Sequence, residues 1–316
     1  MRRADDHQRR TDDHRHQEVP VEVAAAVAPP DNDVLWARGL VTAPREGAAA
    51  LREVSIGVRQ GEVLAVTGVR GSGKTTLLDC LGAARAIDSG EIWFNSAPVH
   101  ILSRAGRERL RRERFGRIGS EPALVPELTV RENVALPMLL AGGPAAGRRA
   151  ALRAADEWLE RLDVADRARR RARQLPPEEQ QRVAVARALA HSPTVVLADE
   201  PTAPVIRAAD RDQLMRMLVT ATRSHGLTLL LATTDRELAA RYADRAAEMS
   251  AGRLGPPRAV SPTATAAGGQ PGLPAPGVTL RQFPAPGGRA SVPGERGPVA
   301  VPVAAGAEGS GEPRCS

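Results

Sequence analysis

Aromatic side chains make up only 2% of the chain. Surfaces that bind single-stranded nucleic acid stack bases on aromatic rings, so this scarcity argues against one, and no nucleic-acid partner is expected. Cysteine is almost as scarce, with only Cys80 and Cys315, and the pair has neither metal nor redox spacing. A disulfide scaffold is thereby excluded, and a reducing cytosol is the natural compartment. Cys80 is expected in the core. No apolar run is long enough to span a bilayer, and the first residues lack the hydrophobic stretch of a secretory signal. Any membrane role is therefore expected to pass through a partner.

What is abundant is arginine. The formal charge is +7 and the isoelectric point about 10.8, which favours anionic neighbours: nucleotide, nucleic acid or the inner face of a membrane. The composition is uneven. Residues 1–33 are charged or rich in Ala and Pro, and 255–316 are dense in Pro, Gly and Ala. The strand and helix patterning lies between them, so one globular domain over 34–254 with two disordered ends is the simplest organisation. Asp5, Asp6 and His7 are echoed by Asp12, Asp13 and His14, with His16 following. These side chains can bind transition metals, but nothing nearby would rigidify such a site, and a solvated tail is the favoured reading. Another reading puts this segment upstream of the natural start. The C-terminal tail reads as a flexible extension, with a partner-binding segment as the alternative.

The strongest pattern runs from Gly68 through Val69, Arg70, Gly71, Ser72 and Gly73 to Lys74 and Thr75. It fits the phosphate-binding loop, six residues from glycine to glycine followed by Lys and a hydroxyl. Glu62–Thr67 before it reads as a buried strand, and Thr76–Leu81 after it as a helix. Glycines let successive N–H groups converge on one anion, and the helix N-terminus adds positive partial charge. Lys74 is expected to reach the β and γ phosphates and Thr75 to hold Mg²⁺, with Thr76 completing the cradle. A Gly-rich turn without function is the bland alternative, disfavoured by the strand, loop and helix in order.

Elsewhere the pattern alternates strand and helix, which implies an α/β sheet. Strands are read at Val34–Ala37, around Val54, Ile56 and Val58, at Gly90–Phe94, at Thr194–Ala198 and at Leu227–Ala232. The Gln60–Gly61 turn leads into the loop strand. Arg104–Arg114 reads as the wet face of a helix with Glu108 and Glu113 as ion-pair partners, although contact with lipid or nucleic acid is open. Leu128–Asp163 is helical, broken at 141–144, with Val134, Leu136, Leu139 and Leu140 forming an apolar patch. Gln180–Ala190 is a further helix. Asp199 and Glu200 end an apolar strand. A carboxylate there can hold the Mg²⁺ of a bound nucleotide, and its neighbour can orient or deprotonate water. Asp199 is thus a candidate metal residue and Glu200 a candidate catalytic base.

Four stretches together resemble the ATP-binding subunit of an ABC transporter. They are Gly68–Thr75, Leu124–Asn133, Gln180–Leu189 and Leu197–Thr202. The resemblance covers about 34–254, and Pro126–Asn133 looks most like the branch serving lipoprotein release, macrolide export and cell division. It implies a P-loop NTPase sheet core with an inserted helical subdomain, about 126–182. It further implies Mg-ATP as ligand and a head-to-tail homo- or heterodimer with another ATPase subunit. A separate integral-membrane permease would complete the complex at the inner face of the cell membrane.

The chain departs from this family at several points. The family's Leu-Ser-Gly-Gly-Gln signature aligns with Leu175, Pro176, Pro177, Glu178 and Glu179. Proline has neither hydroxyl nor N–H for a partner's γ-phosphate, and each nearby acid would add repulsion on the order of 1–4 kcal/mol. The same residues make a good helix start. Thr234 stands where the family has its switch histidine, Ser120 where it has a metal- and water-binding glutamine, with Glu121 beside it, and Ile206 where it has an aspartate. Pro44 falls near the adenine-stacking aromatic, with Trp36 a distant substitute. The expectation is an exporter ATPase subunit that binds Mg-ATP and hydrolyses it slowly. The alternatives are a nucleotide-gated regulatory subunit without turnover and, more weakly, a soluble protein acting on nucleic acid or ribosomes.

Overall fold

The computed structural model describes residues 32–45, 49–141 and 147–260. Backbone contacts divide the chain into 1–264 and 265–316. The second unit lies outside the described residues, as do the Asp/His near-repeat, Cys315 and most of the helix break at 141–144.

Strands β1 (Asp33–Thr42) and β2 (Leu51–Arg59) pair antiparallel. The chain turns at Gly61, whose φ of 76° suits glycine, and enters β3 (Val63–Thr67). The phosphate loop and α1 (Lys74–Leu81) follow. β4 (Ser89–Phe94) and β5 (Ala97–Pro98) then complete a four-stranded antiparallel sheet in the order β2-β1-β4-β5. Helix α2 (Arg104–Arg114) buries no residue, and its exposed face carries the expected Arg104–Glu108 and Arg109–Glu113 pairs. β6 (Phe115–Ile118) leads to α3 (Val130–Leu140), α4 (Arg148–Arg161) and α5 (Pro177–Leu189). After these come β7 (Val195–Asp199), α6 (Ala208–Ser224), β8 (Thr228–Thr233), α7 (Arg236–Tyr242) and β9 (Arg245–Ser250). The short β10 (Arg253–Leu254) and β11 (Arg258–Ala259) both pair with β9.

The second sheet runs β10-β9-β3-β8-β7-β6, and β9, β3, β8, β7 and β6 are parallel. Both of its faces are covered, which explains the uninterrupted apolar runs in β3, β7 and β8. Because side chains alternate along a strand, Leu64, Val195, Leu197 and Leu230 pack with α1 and the antiparallel sheet, and Cys80 joins them. Val63, Val196, Leu229 and Leu231 face the opposite way and pack with residues of α3 to α7. Burial pushes the Cys80 thiol up to about 12, so it is an inert core group.

Helix α3 starts at a capping box. The Thr129 hydroxyl accepts from the Glu132 N–H, and the Glu132 carboxylate accepts from the Thr129 N–H. Buried Asn133, with no exposed surface, ties the preceding loop to this helix. Its amide donates to the Val125, Leu128 and Thr129 carbonyls and its oxygen accepts from the Val125 N–H. The apolar patch expected on this helix is only partly buried. Val134 is in the core, whereas Leu139 and Leu140, in the last turn of the helix, are exposed.

Candidate functional site at the carboxyl ends of three parallel strands

In the parallel sheet β8 lies between β3 and β7. The three strands end together, with Thr67 in register with Thr233 and Asp199 with Ala232. The phosphate loop, the Asp199–Glu200 pair and Thr234 thus converge on one edge, where open α/β sheets place their ligands.

The loop is built on close backbone approach. A Cβ on Gly68 would stand 2.2 Å from the Met249 carbonyl oxygen, and Gly73 has a φ of 111°. The Ser72 N–H donates to the Val69 carbonyl and the Gly252 N–H to the Ser72 carbonyl, which pins the loop to the end of β9. Gly73 caps α1 without a side-chain acceptor. The first-turn N–H groups of a helix have no intrahelical acceptor, so those of Lys74, Thr75 and Thr76 are available to an anion. Val69 and Arg70 are exposed at the tip, and the Thr76 side chain is buried, so Thr76 offers only its N–H.

Lys74 is 5% exposed. Its ammonium donates to the Gly68 and Val69 carbonyls at 2.7 and 3.0 Å and lies 3.7 Å from a Glu200 carboxylate oxygen. Glu200 has a φ of 46° and donates its N–H to the Ala232 carbonyl. Its other carboxylate oxygen accepts from the Thr233 and Thr234 hydroxyls at 3.2 and 3.4 Å. Thr234 therefore holds the candidate base, a role that the alignment of that position with a histidine did not suggest.

Asp199 is 7% exposed, and its Oδ1 has no hydrogen-bond partner. Burial raises its carboxyl above the usual range, opposed by the Thr75 hydroxyl, Arg117 and Lys74. A buried carboxylate oxygen without a partner, beside a threonine hydroxyl, is a donor set suited to Mg²⁺, which takes hard oxygen ligands. Ser72 Oγ is also buried and unpartnered. Glycine cradle, buried ammonium and orphaned oxygens fit a Mg-nucleotide.

Residues of the expected partner-facing segment lie apart from this cluster. Pro176 precedes α5 with no side-chain cap, Pro177 opens the helix, and Glu178 and Glu179 occupy its first turn. Glu179 is paired with Arg167 at 3.1 Å, so one of the two acids is neutralised within the subunit. Ser120, Glu121 and Thr234 are exposed, and Ile206 is 89% exposed. Pro44 lines a cavity shared with Gly71. Trp36 does not substitute for it. That ring lies in a different groove with Asp33 and Arg59, under the Arg38 guanidinium.

One residue of the site had not been singled out. Gln181 has no exposed surface, and its amide donates to the Gly119 and Pro201 carbonyls at 3.0 and 2.8 Å. It joins the loop before Ser120 to the one after Glu200. The available signal was a glutamine on the otherwise apolar face of Val183–Leu189.

An ABC transporter family model matches residues 51–203. The lipoprotein-releasing system ATP-binding protein LolD of Paramagnetospirillum magneticum is 40% identical over 207 residues, 65% of this chain and 88% of that protein. The chain is an ATP-binding subunit of the ABC transporter family. Among solved structures it is similar to the dimeric ATP-binding cassette MJ0796 in a post-hydrolysis state bound to ADP and Pi. The TM-score is 0.66 and the identity 26%, over 72% of this chain and 99% of that one. It is also similar to cbiO1 of Clostridium perfringens, part of the ABC transporter complex cbiONQ. There the TM-score is 0.63 and the identity 26%, over 72% and 88% of the two chains. This ABC cassette has the P-loop NTPase sheet core expected from its sequence, and among its described residues no helix is long and apolar enough to cross a membrane.

Proposed function

We propose that this subunit binds Mg-ATP and drives a separate integral-membrane permease of the lipoprotein-releasing type from the inner face of the membrane. It does so paired with a second cassette, identical or related. The observation that carries this reading is the Lys74 ammonium, buried between two loop carbonyls and 3.7 Å from Glu200. Loop amides from Gly68 to Thr76 surround the phosphates, and Lys74 turns from its carbonyls to the β and γ oxygens. Thr75 and Asp199 would hold the metal, which would supply charge neutralisation to the bound triphosphate. Glu200, held by Thr233 and Thr234, orients water for attack. The cassette spans about 34–254 with its helical lobe at about 126–182, and β11 (Arg258–Ala259) carries its ordered part past 254.

A second reading, a nucleotide-gated subunit with little turnover, is favoured by Pro176 and Pro177. They put no hydroxyl and no N–H at the start of α5, where a partner's triphosphate would meet them. ATP binding and hydrolysis measured side by side separate the two. Lys74→Ala is expected to abolish binding and Glu200→Gln to preserve it. Turnover above that of Glu200→Gln supports the hydrolytic reading, and turnover equal to it supports the gated one. Unchanged binding in Lys74→Ala refutes both.

A further inference from the structure

Beside the phosphate loop lies a cavity of about 590 Å³ whose walls include Pro44, Leu51, Arg52, Gly71, Asp88 and Gly252. Gly71 makes it continuous with the loop that grips the triphosphate, so it receives the nucleoside end. None of its lining residues is aromatic. Arg52 is exposed, and among the described residues its guanidinium has neither an ion-pair nor a hydrogen-bond partner. Its position is nevertheless fixed. The Arg52 N–H donates to the Gly252 carbonyl at 2.8 Å, and the Gly252 N–H donates to the Ser72 carbonyl at 2.9 Å. Two hydrogen bonds thus set Arg52 against the phosphate loop. The Arg85 guanidinium, near the same wall, is occupied by the Ala43 carbonyl, and the Asp88 carboxylate by the Ala43 N–H.

We propose that the Arg52 guanidinium is the platform on which the nucleobase stacks, and that the site accepts purine nucleoside triphosphates without choosing between adenine and guanine. This rests on the nucleotide-binding reading of Gly68–Thr76. A planar guanidinium packs on the π-face of a base. Every base has such a face, so recognition by stacking is tolerant of base identity. The walls supply aliphatic surface from Pro44 and Leu51, and Asp88, the lining carboxylate, is already engaged with backbone.

Calorimetric titration of the full chain with Mg-ATP, Mg-GTP and Mg-tripolyphosphate tests this. Wild-type affinities for ATP and GTP are expected within about fivefold of each other. Arg52→Ala is expected to weaken both nucleotides about tenfold and to leave tripolyphosphate unchanged. Arg52→Lys, which keeps the charge and loses the plane, is expected to behave like the alanine variant. The proposal is overturned by wild-type affinity for nucleotides in Arg52→Ala, by an equal loss of tripolyphosphate binding, by full retention in Arg52→Lys, or by a more than fivefold preference for one base. Unchanged tripolyphosphate binding in Lys74→Ala would instead overturn the phosphate-loop reading beneath it.

Discussion

Replacing Gln181 tests how the two loops around the site are held. The side chain has no exposed surface and makes two amide hydrogen bonds, to Gly119 and Pro201, while its Oε1 is buried without a partner. In Gln181→Met the volume is nearly kept. Two hydrogen bonds are lost at about 0.5–1.5 kcal/mol each, and the orphaned oxygen, a penalty of about 1–3 kcal/mol, is removed. The Gly119 and Pro201 carbonyls are then left without their donor, at about 1–3 kcal/mol each, so the variant should be less stable than wild type by about 1–4 kcal/mol after the relief of Oε1 is counted. Gln181→Glu keeps the shape but sets a carboxylate against two carbonyl oxygens. An unpaired buried charge costs about 3–5 kcal/mol. The introduced carboxyl has a folded pKa raised above its unfolded value. Its penalty is therefore full above the folded pKa and fades as pH falls toward the unfolded one. Urea unfolding at pH 7 and pH 5 reads both effects. Amide exchange at Ser120, Glu121, Thr202 and Ala203 should rise in the methionine variant, since their tether is gone. A methionine variant as stable as wild type would refute the two carbonyl hydrogen bonds. A glutamate variant as stable as the methionine one would refute the assignment of both carbonyls.

Thr129→Ala removes one half of the α3 capping box and is expected to cost about 1 kcal/mol in urea unfolding. Asn133→Ala leaves the Val125 N–H without its acceptor and removes a second donor from the Val125, Leu128 and Thr129 carbonyls, which keep a backbone N–H each, with an expected loss of about 1–3 kcal/mol in the same assay. Gly68→Ala places a methyl 2.2 Å from the Met249 carbonyl oxygen. The loop must shift, and nucleotide affinity measured by calorimetry should fall at least about tenfold, while the melting temperature falls too.

Parts of the molecule buried on both sides were legible in the sequence. The runs in β3, β7 and β8 stand out because no solvent-facing residue interrupts them. The phosphate loop stands out because close approach to Met249 requires glycine at position 68. β9 was not legible. It is parallel to β3, yet only Ala247 and Met249 of Arg245–Ser250 are buried, and Arg245 and Glu248 resemble loop residues. The α6 helix also escaped, although its buried residues Leu214, Met215, Leu218, Val219 and Thr222 recur at helical spacing. Gln181 and Thr234 share a different cause. Their roles depend on backbone and carboxylate atoms that reach them only after β6, β7 and β8 align, and no local pattern encodes that alignment.

The divergent positions have a common physical property. Lys74, Asp199 and Ser72 are buried, whereas Thr75 beside them is exposed. Pro176, Pro177, Ser120, Glu121, Thr234 and Ile206 are all exposed. Exchange at an exposed position usually changes stability by less than about 0.5 kcal/mol, so the fold offers no resistance there. It is resisted only by what the surface must contact. Exchange at Pro176 and Pro177, which a second subunit would meet, is thus opposed only by that subunit, whereas Thr234 borders this subunit's own site and still holds Glu200. A homodimer of this chain would face two loaded phosphate loops with proline. A heterodimer with a cassette offering hydroxyl and glycine N–H groups would face only one so. If α5 meets a partner's triphosphate as proposed above, Lys74, Asp199 and Glu200 would act on a well-contacted triphosphate only beside such a second cassette.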